Sequence, residues 1–187
     1  MRRMFATALS VFIMASAVVT LAQSGTPPTL ATDVTAAEIQ AVIKAAGSGD
    51  QEVKIIDMGR YNLGIAVLRQ NARKAGAAIT GLNHTKVTEV YYIISGSGTL
   101  VTGGEVGDVK PMAADNQLVT TVVGPSNNAV FRKPAQVRTV SAGDVVVIPA
   151  GVYHGWREIP DHVEYVSVRP DPEKVLPAGY INPTLKK

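Results

Sequence analysis

The sequence predicts an all-β protein, an antiparallel sandwich or barrel, with one short helix near its N-terminus. Short segments of apolar residues follow one another from residue 52 onward, and clusters of Gly, Pro, Ser and Asn separate them. The 187-residue chain contains 17 Gly and 11 Pro, and 46% of its residues are hydrophobic, which suits one core of many short strands joined by turns. The predicted strands cover residues 53–58, 61–70, 77–82, 87–94, 98–102, 117–123, 136–140, 144–148 and 163–168.

The first 22 residues have the three parts of a secretory signal peptide. Arg2 and Arg3 open the segment, the uncharged apolar stretch 4–21 follows, and Ala22 lies just before polar residues. Such a segment is removed on export, so we expect a periplasmic or secreted mature protein that does not contact the membrane. A retained membrane anchor is the alternative, because the stretch is near the ~18-residue minimum of a spanning helix.

The charge and the cysteine content exclude several classes of function. The chain has 18 Lys+Arg and 15 Asp+Glu, a formal charge of +3, and loss of Arg2 and Arg3 with the signal peptide leaves +1. With so little net charge and few aromatic residues, no nucleic-acid partner is predicted. The chain has no cysteine, so disulfides, thiolate metal sites and a catalytic thiol are excluded, and any metal must be held by nitrogen and oxygen.

Residues 23–50 are expected to form an extended leader and a short helix. Thr35 and Glu38 have the spacing of a capping box, in which each side chain bonds a free amide at the start of a helix. Apolar residues at helical spacing follow, and Gly47 ends the pattern. We expect this helix to pack on the outside of the β-structure, without a chemical role.

The β-barrel is predicted over residues 51–170. An insertion rich in Gly and Pro, around residues 101–140, either covers the mouth of a pocket and influences substrate choice or forms a hairpin that pairs subunits. Residues 171–187 contain several prolines and are predicted to form an extended tail, on the surface or against a neighbouring subunit.

Two segments combine histidine with carboxylate or with a tight turn. His84 and Glu89 lie five residues apart near one predicted strand, and His154 follows the turn at Pro149 and Gly151, at the start of a returning strand. On its own, a His and a Glu at this spacing would more often be a surface pair than a site. Together, two imidazoles and one carboxylate inside a barrel would suit one divalent transition metal, namely Fe, Mn, Zn, Ni or Cu.

These two segments resemble the two motifs of the cupin superfamily, over roughly residues 76–168. The resemblance implies a cupin-like antiparallel β-barrel, or double-stranded β-helix, with one metal between the motifs and a homodimer as a common assembly. It assigns the metal to His84, Glu89 and His154, and it places Leu82 where the family has a further histidine. The matching residues are Gly76, His84, Glu89 and Gly96 in the first motif and Gly143, Pro149, Gly151 and His154 in the second.

Alternation along the strands nominates residues that line a pocket. Tyr91 shares a face with Glu89, and Trp156 shares a face with His154, so both aromatic side chains are candidates to bind a substrate. The alternative is that they only fill the barrel. His162 is predicted to be a solvated turn histidine rather than a fourth ligand.

Three protein ligands leave coordination positions open, as a catalytic metal site requires. The sequence therefore predicts an exported small-molecule metalloenzyme of the dioxygenase, isomerase or lyase type. The alternative is a non-catalytic periplasmic module that binds a small molecule or sugar. Fold resemblance does not choose between the two, because this superfamily includes both enzymes and pure binders.

Overall fold

Seven antiparallel strands and one α-helix make up the fold within residues 26–76 and 78–186, the part of the chain that this computed structural model describes. The predicted all-β architecture is confirmed, and the predicted signal peptide at residues 1–22 lies outside the described residues. The elements are α1 (Ala36–Ala46), β1 (Gly49–Asp57), β2 (Asn62–Arg73), β3 (Thr80–His84), β4 (Glu89–Pro111), β5 (Ser126–Ser141), β6 (Val145–Ile148) and β7 (His154–Asp171).

Four of the strands close a barrel. β7 pairs with β3, β3 with β5, β5 with β4, and β4 again with β7, so the ring has no free edge. On one side β2 and then β1 extend the sheet beyond β7, and β6 adds to β4. The buried apolar core lies inside this ring and includes Tyr91, Ile93, Leu100, Trp156 and Tyr165.

Two glycine-rich segments that follow predicted strands lie inside one long strand instead of separating two. β4 continues through residues 96–98 and 103–104, and its pairing register shifts at the first segment and again just after the second. Gly96 has φ of 70°, and a Cβ there would collide with the carbonyl of His162. The glycines therefore bend β4 without ending it, which lets the strand pair with β6 and β7 at one end and with β5 at the other.

The predicted strand at residues 117–123 is wrong, because residues Val119–Val123 form a π-helical turn. Asn116 starts it: its side-chain oxygen accepts from the amide of Leu118 (2.8 Å), and its carbonyl accepts from the amide of Thr120 (2.9 Å). The buried residues of the turn are Val119, Val122 and Val123, which have helical spacing. Burial of this face outweighs the strand preference of a β-branched run.

The helix begins where the capping box predicts. Thr35 is the N-cap, both bonds of the box with Glu38 are present, and Gly47 ends the helix with φ of 72°. Val42 and Ile43 pack against Val53 and Val67 on the outer face of β1 and β2. None of the helices among the described residues is long and apolar enough to cross a membrane.

The C-terminal residues fold back on the first strand of the same chain. The amide of Gly179 donates to the carbonyl of Ile55 (2.9 Å), and the amide of Ile55 donates to the carbonyl of Tyr180 (3.0 Å). Ile181 forms a bridge with Lys54, and Leu176 is buried beside Ile55. The tail therefore covers the outer edge of β1, an edge that would otherwise offer unpaired backbone groups.

Candidate metal centre

Three strand ends bring His84, Glu89 and His154 together. β3 ends at His84, β4 begins at Glu89, and β7 begins at His154. The Nε2 atom of His84 lies 3.2 Å from Oε2 of Glu89, and Nε2 of His154 lies 3.1 Å from the same oxygen. All three residues are buried, and among the described residues they form the group of His, Asp and Glu side chains that could hold a metal ion.

The turn between β6 and β7 fixes the two histidines relative to each other. Gly151 lies in this turn with φ of 85°, and its amide donates to the carbonyl of His84 (2.7 Å). The side-chain amide of Asn83 donates to the carbonyl of Gly151 (3.1 Å). Because the turn is bonded to the end of β3, the start of β7 is held against β3, where Leu82 pairs with His154.

Hydrogen bonds on the far side of each imidazole determine which nitrogen carries the proton. Nδ1 of His154 lies 3.0 Å from the carbonyl of Val152, which can only accept, so Nδ1 must donate. Nδ1 of His84 lies 2.9 Å from the hydroxyl of Ser126, which itself donates to the carbonyl of Gly124 (2.8 Å) and is left to accept. Each neutral imidazole therefore directs its Nε2 lone pair at Glu89.

This donor set fits a divalent transition metal. Two nitrogen lone pairs that each face the same carboxylate oxygen, at 3.1 and 3.2 Å, are repelled by it unless a cation or a proton lies among them. Ligand atoms bound at about 2.1 Å from a metal are roughly 3.0 Å apart in octahedral and roughly 3.4 Å apart in tetrahedral geometry. The observed spacing lies between these values, so little rearrangement would be needed to hold an ion.

Without an ion, a proton would occupy part of this site. Burial lowers the pKa of His154, but the hydrogen bond and the charge of Glu89 outweigh burial and raise it above the ordinary value. Burial lowers the pKa of His84, and Glu89 offsets this only in part. His154 is therefore the histidine that takes up a proton more readily in the metal-free protein.

The two oxygens of Glu89 have different partners. Oε1 accepts from Arg169 through Nε (3.0 Å) and Nη2 (2.8 Å) and from the hydroxyl of Ser167 (3.0 Å). Oε2 accepts from the hydroxyl of Tyr91 (2.9 Å) and faces the histidines. Burial would raise the pKa of Glu89, but the charge of Arg169 together with the charge and hydrogen bonds of the two histidines outweighs burial and holds the pKa well below the usual value, so the carboxylate stays ionised.

A buried charge cluster behind the site was not predicted from the sequence. Arg169 is fully buried; its Nη2 atom also donates to Asp50 (2.6 Å), and Nη1 lies 3.5 Å from Oε2 of Glu52. Burial raises the pKa of Glu52 to about 8, so this carboxyl group is largely protonated at neutral pH. The alternation of inward-facing and outward-facing residues along β7 could have predicted the burial of Arg169, because it lies on the inward face with Tyr165 and Ser167.

A cavity of about 1010 Å³ opens beside the three residues. His84 and His154 line it, as do both predicted substrate-binding residues, Tyr91 and Trp156. The indole N–H of Trp156 lies 3.5 Å from the hydroxyl of Tyr165, and both predicted residues also belong to the apolar core. Tyr91 and Trp156 are thus wall and core residues at once.

The segment predicted as an insertion forms part of the same wall. Residues of β4 and β5 within 101–140 belong to the barrel ring, and Lys110, Asn128 and Val130 line the cavity. Leu118, just before the π-helical turn, and Val123, its last residue, line it as well. This segment can therefore contact a ligand directly.

His162 and Lys86 lie away from the centre. His162 is part of β7 rather than a turn, and it contacts Asp161 (2.6 Å) and the hydroxyl of Ser95 (3.1 Å). Lys86 is exposed and pairs with Glu173 (2.9 Å). Leu82, at the position of the family's further histidine, adds an apolar side chain to the cavity wall.

The closed β-barrel and its inward-facing imidazoles and carboxylate define a double-stranded β-helix protein with a pocket that could hold a metal ion. The chain belongs to the cupin family, since the family's sequence model, described as "Cupin", matches residues 56–183, more than half of the chain.

Comparison with solved structures adds likenesses of fold. One is BH2720 from Bacillus halodurans, 15% identical over 83% of this chain and 92% of that chain, with a TM-score of 0.46. Another is the DMSP lyase DddQ from Ruegeria pomeroyi DSS-3, 15% identical over 67% of this chain and 45% of that one (TM-score 0.37). KdgF from Halomonas sp. is 17% identical over 66% and 79% (TM-score 0.38). No curated protein matches the chain, and nothing about function follows from likenesses at this level.

Proposed function

We propose that this chain is an exported metalloenzyme that acts on a small molecule, with one divalent transition metal held by His84, Glu89 and His154. The observation that carries the proposal is the convergence of two imidazole lone pairs on one ionised carboxylate oxygen at 3.1–3.2 Å, at the wall of a cavity. Such a buried arrangement is costly unless a cation balances it. Three ligands also leave positions free for a substrate.

An ion at this site would supply Lewis-acid polarisation of a substrate oxygen or, if it were iron, activation of dioxygen. Dioxygenase, isomerase and lyase chemistry are therefore the reaction classes that we propose. Fe, Mn, Zn, Ni and Cu all accept nitrogen and oxygen ligands, and the ligand set alone does not select among them.

The surrounding residues orient the ligands and shape the substrate's position. Arg169 and Ser167 hold Oε1 of Glu89, so Oε2 is the oxygen directed at the histidines. Burial raises the pKa of Tyr91 well above its usual value, so its hydroxyl stays protonated and donates to Oε2. The indole of Trp156, in the cavity wall, offers an apolar face on which a substrate can stack.

Metal analysis of the purified protein tests the ligand set. We expect about one transition-metal ion per chain after reconstitution, and His154→Ala should lose it, because one of three ligands is gone. His162→Ala is the matched control: it removes an imidazole from the same strand, outside the centre, and should keep the ion. Full occupancy in His154→Ala, or none in the wild-type protein, would contradict the proposal.

Turnover measurements separate an enzyme from a binding module. The protein loaded with each metal should be assayed for oxygen uptake and for conversion of 1,3-dicarbonyl, hydroxyacid and sugar compounds. Tight ligand binding without turnover under all of these conditions would favour the non-catalytic module.

Export and assembly have separate tests. We propose cleavage of the predicted signal peptide, so a mature N-terminus near Gln23 in a periplasmic extract is expected. Release only by detergent would support the membrane anchor instead. The homodimer also stays a prediction, which light scattering of the purified protein would test.

A further inference from the structure

The charges in the cavity wall do not balance. Apart from the histidines, the charged side chains that line the cavity are Asp50, Arg69, Arg73, Asp108 and Lys110. Three of the five have a partner of opposite charge among the described residues. Asp50 pairs with Arg169 (2.6 Å), Asp108 pairs with Arg132 (2.6 Å), and Arg69 pairs with Glu164.

Arg73, the last residue of β2, is held by neutral groups alone. Its Nη1 donates to the carbonyl of Trp156 (2.7 Å), and its Nη2 donates to the hydroxyl of Thr80 (3.3 Å). Both partners line the cavity themselves. A guanidinium group has five N–H donors, so three remain for a ligand. These two bonds fix the side chain without cancelling its charge.

Lys110 supplies a second positive charge from another strand. It lies on β4, where it pairs in register with Asn128 of β5, and both residues line the cavity. It is exposed and forms no ion pair with any of the described residues. The two charged wall residues without an opposite charge are therefore both cations, and the cavity favours an anionic ligand.

We propose that Arg73 and Lys110 form an anion subsite in the cavity wall and that the ligand is a small carboxylate. A guanidinium fork with free donors matches the two oxygens of a carboxylate. Arg73 is anchored at Trp156, two residues along β7 from His154, which is roughly 7 Å of strand. A short carboxylate with a second oxygen can therefore contact Arg73 and also reach the centre at His84, Glu89 and His154. Only this second contact rests on the proposed function.

Calorimetric titration of the full-length protein with glutarate tests the subsite, with neutral glutaramide as the uncharged control. We expect glutarate to bind the zinc-loaded protein at least about tenfold more tightly than glutaramide. Arg73→Gln should lower the glutarate affinity about tenfold while the zinc content is unchanged, and Lys110→Gln should lower it by a smaller factor. Arg157→Gln, the same change at an exposed position of β7, should have no effect.

Several results would overturn the subsite. They are equal affinity for glutarate and glutaramide, equal effects of Arg73→Gln and Arg157→Gln, and no glutarate binding at concentrations up to about 10 mM. Tighter binding of inorganic phosphate than of glutarate would overturn the carboxylate assignment. Arg73→Lys guards against misfolding, since it keeps the charge and should retain more affinity than Arg73→Gln. If Arg73→Lys binds no better, the charge is not the cause.

The same titration separates this inference from the metal proposal. If the wild-type protein takes up no metal, but its glutarate binding still depends on Arg73, the metal proposal fails and the anion subsite stands. If metal binds and glutarate binding does not depend on Arg73, the subsite fails and the metal proposal stands.

Discussion

Replacement of Arg169 by Met should destabilise the metal-free protein by about 3–5 kcal/mol at pH 7. The guanidinium group is fully buried and donates twice to Glu89 (3.0 and 2.8 Å) and once to Asp50 (2.6 Å). Met fills much of the volume but leaves both carboxylates in the interior without a cation, and removal of one member of a buried ion pair costs about this much. For a chain of this size, the melting temperature should fall by roughly 6–20 °C.

Urea unfolding with a chelator present measures this loss without a contribution from bound metal. The fluorescence of Trp156 is the probe, because this is the single tryptophan and it is buried. Arg157→Met, an exposed change on the same strand, should shift the free energy of unfolding by no more than about 0.5 kcal/mol. If Arg169→Met lowers the free energy of unfolding to within about 1 kcal/mol of the control value, the buried charge does not stabilise the protein as argued.

The pH dependence of the Arg169→Met loss gives a second check. In the wild-type protein burial would raise the pKa of Glu89, but the charge of Arg169, the largest opposing cause, and the two histidines together lower it. The stabilising contribution of Glu89 is therefore present above pH 4.5 and lost as the pH falls through the folded-state pKa. Without the guanidinium, burial would dominate and raise that pKa, so the variant should lose stability as the pH rises. The difference between the two proteins should therefore grow from acidic to neutral pH, and a constant difference would contradict an electrostatic cause.

Three further predictions concern other side chains of the site. Burial raises the pKa of Glu52 to about 8, so wild-type stability should fall as the pH rises from near 4.5 to about 8. Urea unfolding across this range should show the free energy of unfolding of Glu52→Gln rising relative to that of the wild-type protein. The exposed change Glu158→Gln should show no such rise. Ser126→Ala removes the acceptor of the His84 Nδ1–H and should weaken metal binding roughly 10–100-fold. Competition with a chromophoric chelator measures this affinity. The exposed change Ser141→Ala should leave it unchanged. Leu82→His places a third imidazole in the cavity wall, as a possible fourth ligand, and should tighten metal binding in the same assay. Unchanged affinity would show that the new ring does not reach the ion.

Local sequence patterns were sufficient to predict several parts of this protein. The capping box and the following glycine predicted both ends of the helix, because these bonds join residues only a few positions apart. The tight turn at Gly151 and the two histidines could likewise be located from spacing. The structure brings His84, Glu89 and His154 together, although they occupy two separate segments of the chain.

The errors arose where distant contacts decide the local conformation. Gly96 lies in a strand because the backbone of β7 passes directly against it, and this contact is made by residues more than 60 positions away. Residues 119–123 have the composition of a strand, and only the burial of one helical face reverses that preference. The partners of Arg169 are likewise remote, because Asp50 and Glu89 lie 119 and 80 positions away along the chain.

The buried charges link the metal proposal to the anion subsite. Glu89 keeps a negative charge beside the Arg169 guanidinium because its pKa is held well below the usual value, whereas burial raises the pKa of both Asp50 and Glu52. Two imidazole nitrogens face the ionised oxygen of Glu89, so this end of the cluster favours a cation. A divalent ion held there would bring two positive charges to the cavity wall. This positive charge in turn favours a ligand with a negative group. A carboxylate should therefore bind the metal-loaded protein more tightly than the chelator-treated protein, beyond what Arg73 and Lys110 contribute by themselves.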